Sequence, residues 1–209
     1  GVLLDEDYGF APYHTWSNTT AHNATHILDD VDYQGQMTQL GILRTYGTRH
    51  GAGPFVTEDK TLSQALPEAH NATSDWQEHF RVGYFDAVAT RYALNVVGEI
   101  DSLAITHADK IPQITTPQIC TGYQLQAEPN RITDYFEHKG QTITGIHVKT
   151  PTDSTHQTQL TQYLFQCEPM YTPVTGDYLN TLEQTLDIPI SIVSDGMTAE
   201  HKTLRSPLA

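Results

Sequence analysis

The sequence predicts an α/β fold that carries a smaller antiparallel lobe. Two segments with helical spacing of apolar residues, 87–97 and 178–186, are each followed by a short apolar strand, at 100–105 and 188–193. Between these two units, residues 117–172 alternate polar and apolar side chains and are rich in tyrosine and threonine, which is typical of antiparallel strands. Helix followed by strand, on both sides of an antiparallel section, favours a sheet domain with an attached lobe.

The amino-acid composition indicates which kinds of partner and ligand the protein can bind. The 209 residues carry a net charge of −14, so nucleic acid and anionic membrane surfaces are unfavourable partners. No apolar run approaches the roughly 20 residues that a membrane-spanning helix needs, and no signal peptide is recognised. Cys120 and Cys167 lack the spacing of a metal site or a disulfide framework, so we expect buried or neutral thiols of a reducing compartment. A phosphorylated small molecule remains a suitable ligand if the 11 basic residues gather at one place.

The amino-terminal segment is predicted to be the end of a buried strand followed by a loop. Residues 2–4 are apolar, and Gly9 and Pro12 then break the chain. The hydroxyl and amide side chains of residues 15–20 suit either a bound phosphate or the cap of the next helix, and both alternatives stay open.

A histidine pair follows this loop. His22 and His26 are four residues apart, which places both on one face of a helix. With Asp29 or Asp30 they could bind a metal ion, but the glutamate of a zinc-protease motif is missing and no third ligand is specified. In a chain with 11 histidines, a chance pair is the favoured interpretation.

A glycine-rich stretch, 41–58, is the strongest local signal. Residues 51–54, Gly-Ala-Gly-Pro, have almost no side chain and follow two cations, Arg44 and Arg49. Glycines that let the backbone approach a ligand, next to cations and threonine hydroxyls, suit a phosphorylated small molecule. A tight structural crossing between two packed elements explains the same pattern, and the sequence does not decide between them.

Polar residues follow both apolar strands of the predicted sheet, at 106–109 and at 194–196. Ligands of an α/β sheet bind outside the carboxyl ends of its strands, so these two turns are candidate binding residues. Between the glycine-rich stretch and the helix that ends at Gly98, residues 58–80 are predicted to be a surface loop with a short helix. The segment 141–148 is a strand candidate within the antiparallel lobe.

Six separated motifs, in this order, resemble the carboxy-terminal half of the adenylosuccinate synthetase family. They are Gly-Val-Leu-Leu-Asp at 1–5 with 12–15 and 17–20, the stretch 41–58 with its Gly-Ala-Gly-Pro-Phe, Val-Gly-Tyr-Phe-Asp at 82–86, Thr-His-Ala-Asp at 106–109, Ser-Asp-Gly at 194–196 and Leu-Arg-Ser-Pro at 204–207. The resemblance implies a P-loop-type nucleotide-binding sheet domain, of which 1–209 would be the carboxy-terminal portion without the phosphate loop. It also implies a cytoplasmic homodimer that joins L-aspartate to IMP with GTP and Mg²⁺, with its catalytic residues and metal ligands upstream of this fragment, which alone should be inactive.

The resemblance also assigns residues to ligands. Those expected at IMP are Gly1, Leu4, Thr15 and His50, with the Thr15 hydroxyl donating to the phosphate. Those expected at GTP are His107, Asp109, Ser194, Asp195 and Gly196. The Asp109 carboxylate can accept from both guanine N–H groups, a pair of donors that adenine lacks. Arg81 is the residue expected in the loop that binds the amino donor.

Two departures from the family pattern leave an alternative open. His107 stands where the family has a lysine whose stem covers the guanine, and its imidazole could stack there instead. In the donor loop, 74–81, Arg81 is the cation that remains, and Asp75 and Glu78 would repel a dicarboxylate. The alternative is therefore a nucleotide-binding paralogue with a different amino donor, or without ligase activity.

Overall fold

A computed structural model describes residues 1–67, 79–125, 132–150 and 152–205. The helices are α1 (His22–Asp30), α2 (Lys60–Ala65), α3 (Ala87–Val97), α4 (Ser154–Leu164) and α5 (Tyr178–Leu186). The strands are β1 (Leu40–Arg44), β2 (Gly47–His50), β3 (Phe80–Gly83), β4 (Phe85–Asp86), β5 (Ser102–Thr106), β6 (Gln118–Leu125), β7 (Phe136–Lys139), β8 (Thr142–Ile146), β9 (Cys167–Pro173), β10 (Ile190–Ser194) and β11 (Lys202–Leu204).

The mixed α/β fold is confirmed, and its first sheet has the order β1-β5-β10-β11. β1 and β10 both pair in parallel with β5, whereas β11 pairs antiparallel with β10. The predicted apolar strands are therefore β5 and β10, side by side although Thr106 and Ile190 are 84 positions apart in the chain. Leu103, Ile190 and Leu182 of α5 are fully buried in one cluster, and each such side chain contributes about 1.5–3 kcal/mol relative to exposure.

Local signals explain where the two predicted helices begin and end. α3 starts at the cap residue Asp86, whose carboxylate accepts the N–H of Ala89, and it ends at Gly98 with a φ of 87°. α5 starts at Asp177, whose carboxylate accepts the N–H of Asn180. Both helices have the bounds predicted from the spacing of their apolar residues.

The antiparallel strands predicted within 117–172 are confirmed, but residues 154–164 form helix α4, which the alternating pattern did not predict. β6 pairs antiparallel with β8 on one side and with β9 on the other, and β7 continues the sheet beyond β8. A core of buried side chains, including Val88 and Tyr92 of α3, Tyr123 of β6 and Leu160 of α4, joins this sheet to two helices. β4 pairs in parallel with β6, so the chain enters α3 directly from the edge of the lobe.

β2 and β3 form a separate antiparallel ribbon, with Gly47 opposite Gly83. The short helix predicted in the polar loop is α2, while the rest of that loop, 68–78, lies outside the described residues. Leu62 and Leu66 pack with Tyr46 and Val82 in a third small core under the ribbon.

The prediction of a strand end at residues 2–4 is wrong, because Val2–Leu4 is a 3₁₀ helix. The physical reason is Asp5, whose fully buried side chain accepts hydrogen bonds from the N–H groups of Asp7, Tyr8 and Thr19. These bonds fold the segment back on itself, which leaves no free edge for strand pairing. An apolar run of three residues cannot distinguish a strand end from such a buried turn.

Two further observations concern the whole described chain. None of its helices combines the length and apolar character required to cross a bilayer. Cys120 and Cys167 are both free thiols, and burial raises the pKa of Cys167 to about 12.

Candidate functional site

A cleft of 1240 Å³ opens at the carboxyl ends of the parallel strands. Arg44 at the end of β1, Thr106 at the end of β5 and Ser194 at the end of β10 all line it. Parallel strands end at the same edge of their sheet, and the polar turns that follow them therefore meet there. The opposite wall comes from the amino-terminal segment and the glycine-rich stretch, so the cleft joins parts of the chain far apart in sequence.

The cleft collects most of the residues assigned to ligands from the sequence. Those that line it are Gly1, Leu4, His50, His107, Asp109, Ser194 and Gly196. Thr15, Arg81 and Asp195 are not among its lining residues. Thr15 is hydrogen bonded to Leu4, which lines the cleft, and Asp195 directly follows Ser194, which also lines it. Arg81 is hydrogen bonded to the glycine-rich turn.

The turn after β5 holds His107 and Asp109 in different ways. His107 is in the left-handed region, with a φ of 62°, and its carbonyl accepts from the Thr45 hydroxyl at 2.9 Å. Its Nδ1 lies 3.0 Å from the Thr106 hydroxyl, which orients the ring. Asp109 is exposed, and the 3.6 Å between its carboxylate and the Lys110 ammonium is a loose pairing that leaves acceptor capacity for a ligand.

Hydrogen bonds to its own carbonyl groups hold the turn after β10 in shape. The buried Ser194 hydroxyl donates to the Gly196 carbonyl at 3.2 Å, and the Lys202 ammonium donates to the carbonyls of Gly196 and Thr198 at 2.9 and 2.8 Å. The Asp195 side chain is exposed, while its backbone N–H donates to the His201 carbonyl. The shape of this turn therefore exists before any ligand binds.

Thr15 lies at the surface beside the cleft. Its N–H and its hydroxyl both donate to the Leu4 carbonyl, at 2.9 and 3.2 Å. A neutral hydroxyl bond of 3.2 Å is weak enough to be exchanged for a shorter bond to a phosphate oxygen. Of the neighbouring hydroxyls, Thr19 donates to Asp5 and Thr20 to Asn18, so local hydrogen bonds account for both.

His50 lies at the cleft wall and has a ring nitrogen without a hydrogen-bond partner in the described part of the chain. Its Nε2 is buried and has no hydrogen-bond partner among the described residues. Its ring packs edge-on against Phe80 at 5.7 Å between centroids. A buried polar atom without a partner is costly, so a ligand that bonds to this nitrogen would be favoured.

The glycine-rich stretch forms the structural crossing, while its binding of a phosphorylated molecule stays a prediction. Its turn, 51–53, is a tight structural crossing, because Arg81 donates to the Gly51 carbonyl at 2.8 Å, to the Gly53 carbonyl at 2.8 Å and to the Glu58 carboxylate at 2.8 Å. Residues on either side of the turn, among them Arg44 and Pro54, line the cleft. The Arg81 side chain is thus engaged with the protein's own backbone.

We expect Arg81→Ala to lower the free energy of unfolding by about 2 kcal/mol, because two partly buried carbonyls lose a charged donor. Urea denaturation of the full-length protein measures this change. Lys149→Ala, which removes an exposed ion pair with Asp153 at 2.7 Å, is the control and should change stability by about 0.5 kcal/mol or less. A stable Arg81→Ala protein with impaired binding of the amino donor alone would instead make Arg81 a ligand.

The predicted helix that carries the histidine pair is α1, and the two Nε2 atoms lie 3.0 Å apart on its exposed face. Among the described residues, however, no group of three or more His, Cys, Asp or Glu side chains could hold a metal ion. The structure therefore assigns no metal to His22 and His26.

Sequence reasoning missed a carboxylate–phenol pair in the cleft wall. The Tyr123 hydroxyl donates to Asp86 at 2.6 Å, and both residues line the cleft. Burial raises the pKa of the Asp86 carboxyl to about 6, although hydrogen bonds from Tyr123 and from the Ala89 N–H act in the opposite direction. An aspartate before a helix signals a cap, but its tyrosine partner, 37 residues away, has no local signature.

The Asp86 carboxyl should make stability depend on pH. Its folded-state pKa of about 6 exceeds the ordinary value of 3.8, so the folded state binds this proton more tightly than the unfolded state. Its contribution to stability is therefore largest below pH 3.8, decreases as pH rises to about 6, and is constant above that. The total decrease is at most about 3 kcal/mol.

Asp86→Asn, which cannot ionise, should remove that decrease. Urea denaturation of the wild type and of Asp86→Asn between pH 4 and pH 7 measures this decrease as the difference between their free energies of unfolding. Asp177→Asn changes an exposed cap and should leave the wild-type slope intact. Parallel curves for wild type and Asp86→Asn would contradict the prediction.

The family model described as adenylosuccinate synthetase matches residues 1–203. The chain belongs to the adenylosuccinate synthetase family. Curated relatives include the adenylosuccinate synthetases of Stenotrophomonas maltophilia, 32% identical over 219 residues, and of Bacteroides fragilis, 32% identical over 209 residues. These alignments cover 100% and 98% of this chain but 48% and 47% of the relatives. The chain thus spans about half the length of the curated relatives it matches.

Solved structures support the same fold. A fully ligated adenylosuccinate synthetase from Plasmodium falciparum aligns with a TM-score of 0.72 and 19% identity, over 99% of this chain and 48% of that one. The succinoaminodeoxyadenylate synthetase PurZ of cyanophage S-2L, bound to dGMP and dATP, aligns with a TM-score of 0.52 and 13% identity, over 98% and 44% of the two chains. At such identities the likeness concerns the fold alone.

Proposed function

We propose that residues 1–209 are the carboxy-terminal portion of a ligase of purine nucleotide biosynthesis. The enzyme would join the amino group of L-aspartate to IMP with GTP, giving adenylosuccinate. The observation that carries this proposal is the cleft itself, which is lined by Leu4 and His50 on one side and by Asp109 and Ser194 on the other. These are the residues that the family pattern assigns to two different nucleotides.

On the IMP side, the roles follow from the polar atoms available. Thr15 would donate its hydroxyl to the phosphate, and the unpartnered Nε2 of His50 would bond to the ribose or base. Leu4 and the backbone of Gly1 would contact the base.

On the GTP side, Asp109 would accept from the two guanine N–H groups, and the turn 194–196 would lie against the same base. This turn is held by Lys202, so little ordering would be needed on binding. His107 would stack on the guanine face where the family has a lysine.

The residues that act on the reacting atoms are proposed to lie outside this chain. The resemblance implies Mg²⁺, but the described residues offer no cluster of three or more metal-ligating side chains, so no residue here is assigned to it. We also propose a cytoplasmic homodimer; light scattering of the full-length protein during size-exclusion chromatography tests the dimer.

The test is an assay of the full-length protein with IMP, GTP, Mg²⁺ and L-aspartate, following phosphate release and the ultraviolet absorbance of the product. Turnover that requires all three substrates would support the proposal. Tight binding of nucleotides without turnover would instead support the alternative of a binding paralogue, and no binding of either nucleotide would contradict both.

A changed amino donor is the second candidate, and the contacts of Arg81 favour it. The guanidinium already donates to two carbonyls and to the Glu58 carboxylate, so its charge is offset before any dicarboxylate binds. Residues 74–78 of the donor loop lie outside the described residues. A screen of amines with IMP and GTP decides between the two: saturation by L-aspartate at millimolar concentration rejects a changed donor, whereas turnover with another amine alone supports it.

A further inference from the structure

Arg49 joins two walls of the cleft through backbone carbonyls. It belongs to β2, is 7% exposed, and donates from Nε to the Ala52 carbonyl at 2.9 Å and from Nη2 to the Tyr13 carbonyl at 2.8 Å. The first bond stays within the glycine-rich turn, while the second reaches a segment 36 residues earlier in the chain. One planar guanidinium thereby sets the distance between these two segments.

Both segments carry residues that the proposed function assigns to IMP. Tyr13 is two residues before Thr15, whose N–H and hydroxyl are bonded to Leu4. On the other side, Arg49 directly precedes His50, whose unpartnered Nε2 lies at the cleft wall. A change in the bond between Arg49 and Tyr13 would therefore alter the separation of the two proposed IMP contacts.

Gly53 packs so closely against Arg49 and Tyr13 that the two segments have no room to shift. Gly53 has a φ of 108°, and a Cβ placed on it would lie 2.2 Å from Nη2 of Arg49 and 2.7 Å from Cβ of Tyr13. With Arg81 bonded to Gly51 and Gly53, the three successive carbonyls of the turn all accept from arginine. The turn is held in one conformation before a ligand arrives.

The partners of the Arg49 guanidinium are backbone carbonyls rather than a carboxylate. Among the described residues no acidic side chain forms an ion pair with it, and burial, together with the nearby Arg81, lowers its pKa to about 10. The guanidinium remains protonated at neutral pH, so carbonyl dipoles are its partners. A purely electrostatic role would need only this charge, whereas a bridging role needs the two-sided fork of the guanidinium.

We infer that Arg49 is a positioning residue for IMP, which fixes the segment carrying Thr15 relative to the turn that follows His50. The inference rests on the proposed function, and it assigns Arg49 no contact with the reacting atoms. Lysine at this position keeps the charge but cannot donate in two directions from one rigid plane.

The experiment measures IMP and GTP binding to the full-length protein by calorimetry for wild type, Arg49→Gln and Arg49→Lys. We expect both variants to bind IMP roughly tenfold more weakly, the change that corresponds to one lost charge-assisted hydrogen bond, and to bind GTP as the wild type does. In kinetic assays the KM for IMP should rise while kcat stays nearly constant. Arg91→Gln is the matched control, because Arg91 donates to the Thr185 carbonyl at 2.8 Å away from the cleft.

The outcomes separate the inference from the proposed function. Wild-type protein that does not bind IMP would overturn both. Wild-type IMP affinity in Arg49→Gln, full rescue by Arg49→Lys, or an equal loss of IMP and GTP binding would overturn the inference alone. The lysine variant keeps the test decisive if Arg49→Gln does not fold.

Discussion

Gly83→Ala is expected to destabilise the protein by more than about 3 kcal/mol, or to prevent folding. A Cβ at this position of β3 would lie 2.2 Å from the Thr57 carbonyl oxygen, 2.6 Å from the Thr57 carbonyl carbon and 2.9 Å from the Phe55 ring. The first two atoms belong to the backbone, so no side-chain rotation can relieve the overlap. Relief would require β3 to move away from the segment that follows the glycine-rich turn.

Thermal and urea unfolding of the full-length variant measure this effect. Gly176→Ala is the matched control, because a Cβ there meets no atom within 4 Å and the residue has no positive φ. That control should lie within about 0.5 kcal/mol of the wild type. Equal stabilities of the two variants would contradict the packing of β3 against Thr57.

Asp109→Ala is expected to abolish a preference for GTP over ATP. Loss of the paired bonds to guanine should cost of order 2–5 kcal/mol, with the lower part of that range favoured by the exposure of Asp109. In kcat/KM for GTP, the lower limit corresponds to a decrease of about 30-fold. The use of ATP should not change, because adenine lacks the pair of donors that the carboxylate accepts.

Steady-state assays of the full-length enzyme with each nucleotide provide the measurement. Asp30→Ala, which removes an exposed carboxylate on α1, is the control for the change in net charge. Wild-type enzyme that uses ATP as well as GTP, together with an unaffected Asp109→Ala, would show that the turn after β5 does not read the base.

The sequence alone was sufficient where the signal is local. Helices α3 and α5 follow from the spacing of their apolar residues, and the end of α3 follows from Gly98, because a helix is built from contacts three and four residues apart. The polar turns at 106–109 and 194–196 were correctly expected at the carboxyl ends of strands. The order of short motifs also identified the family.

The tertiary structure decided what depends on contacts between distant segments. A backbone carbonyl is present at every residue, so nothing in the sequence indicates that Arg49 donates to Tyr13 or that Arg81 donates to the glycine-rich turn. The same holds for the phenol that Tyr123 presents to Asp86. Residues 2–4 form a 3₁₀ helix rather than the strand end that their apolar side chains predicted, because the buried Asp5 carboxylate accepts hydrogen bonds from N–H groups up to 14 residues away. Local propensity determined α3, α5 and the polar turns after β5 and β10, and long-range hydrogen bonds to the backbone determined the shape of the cleft.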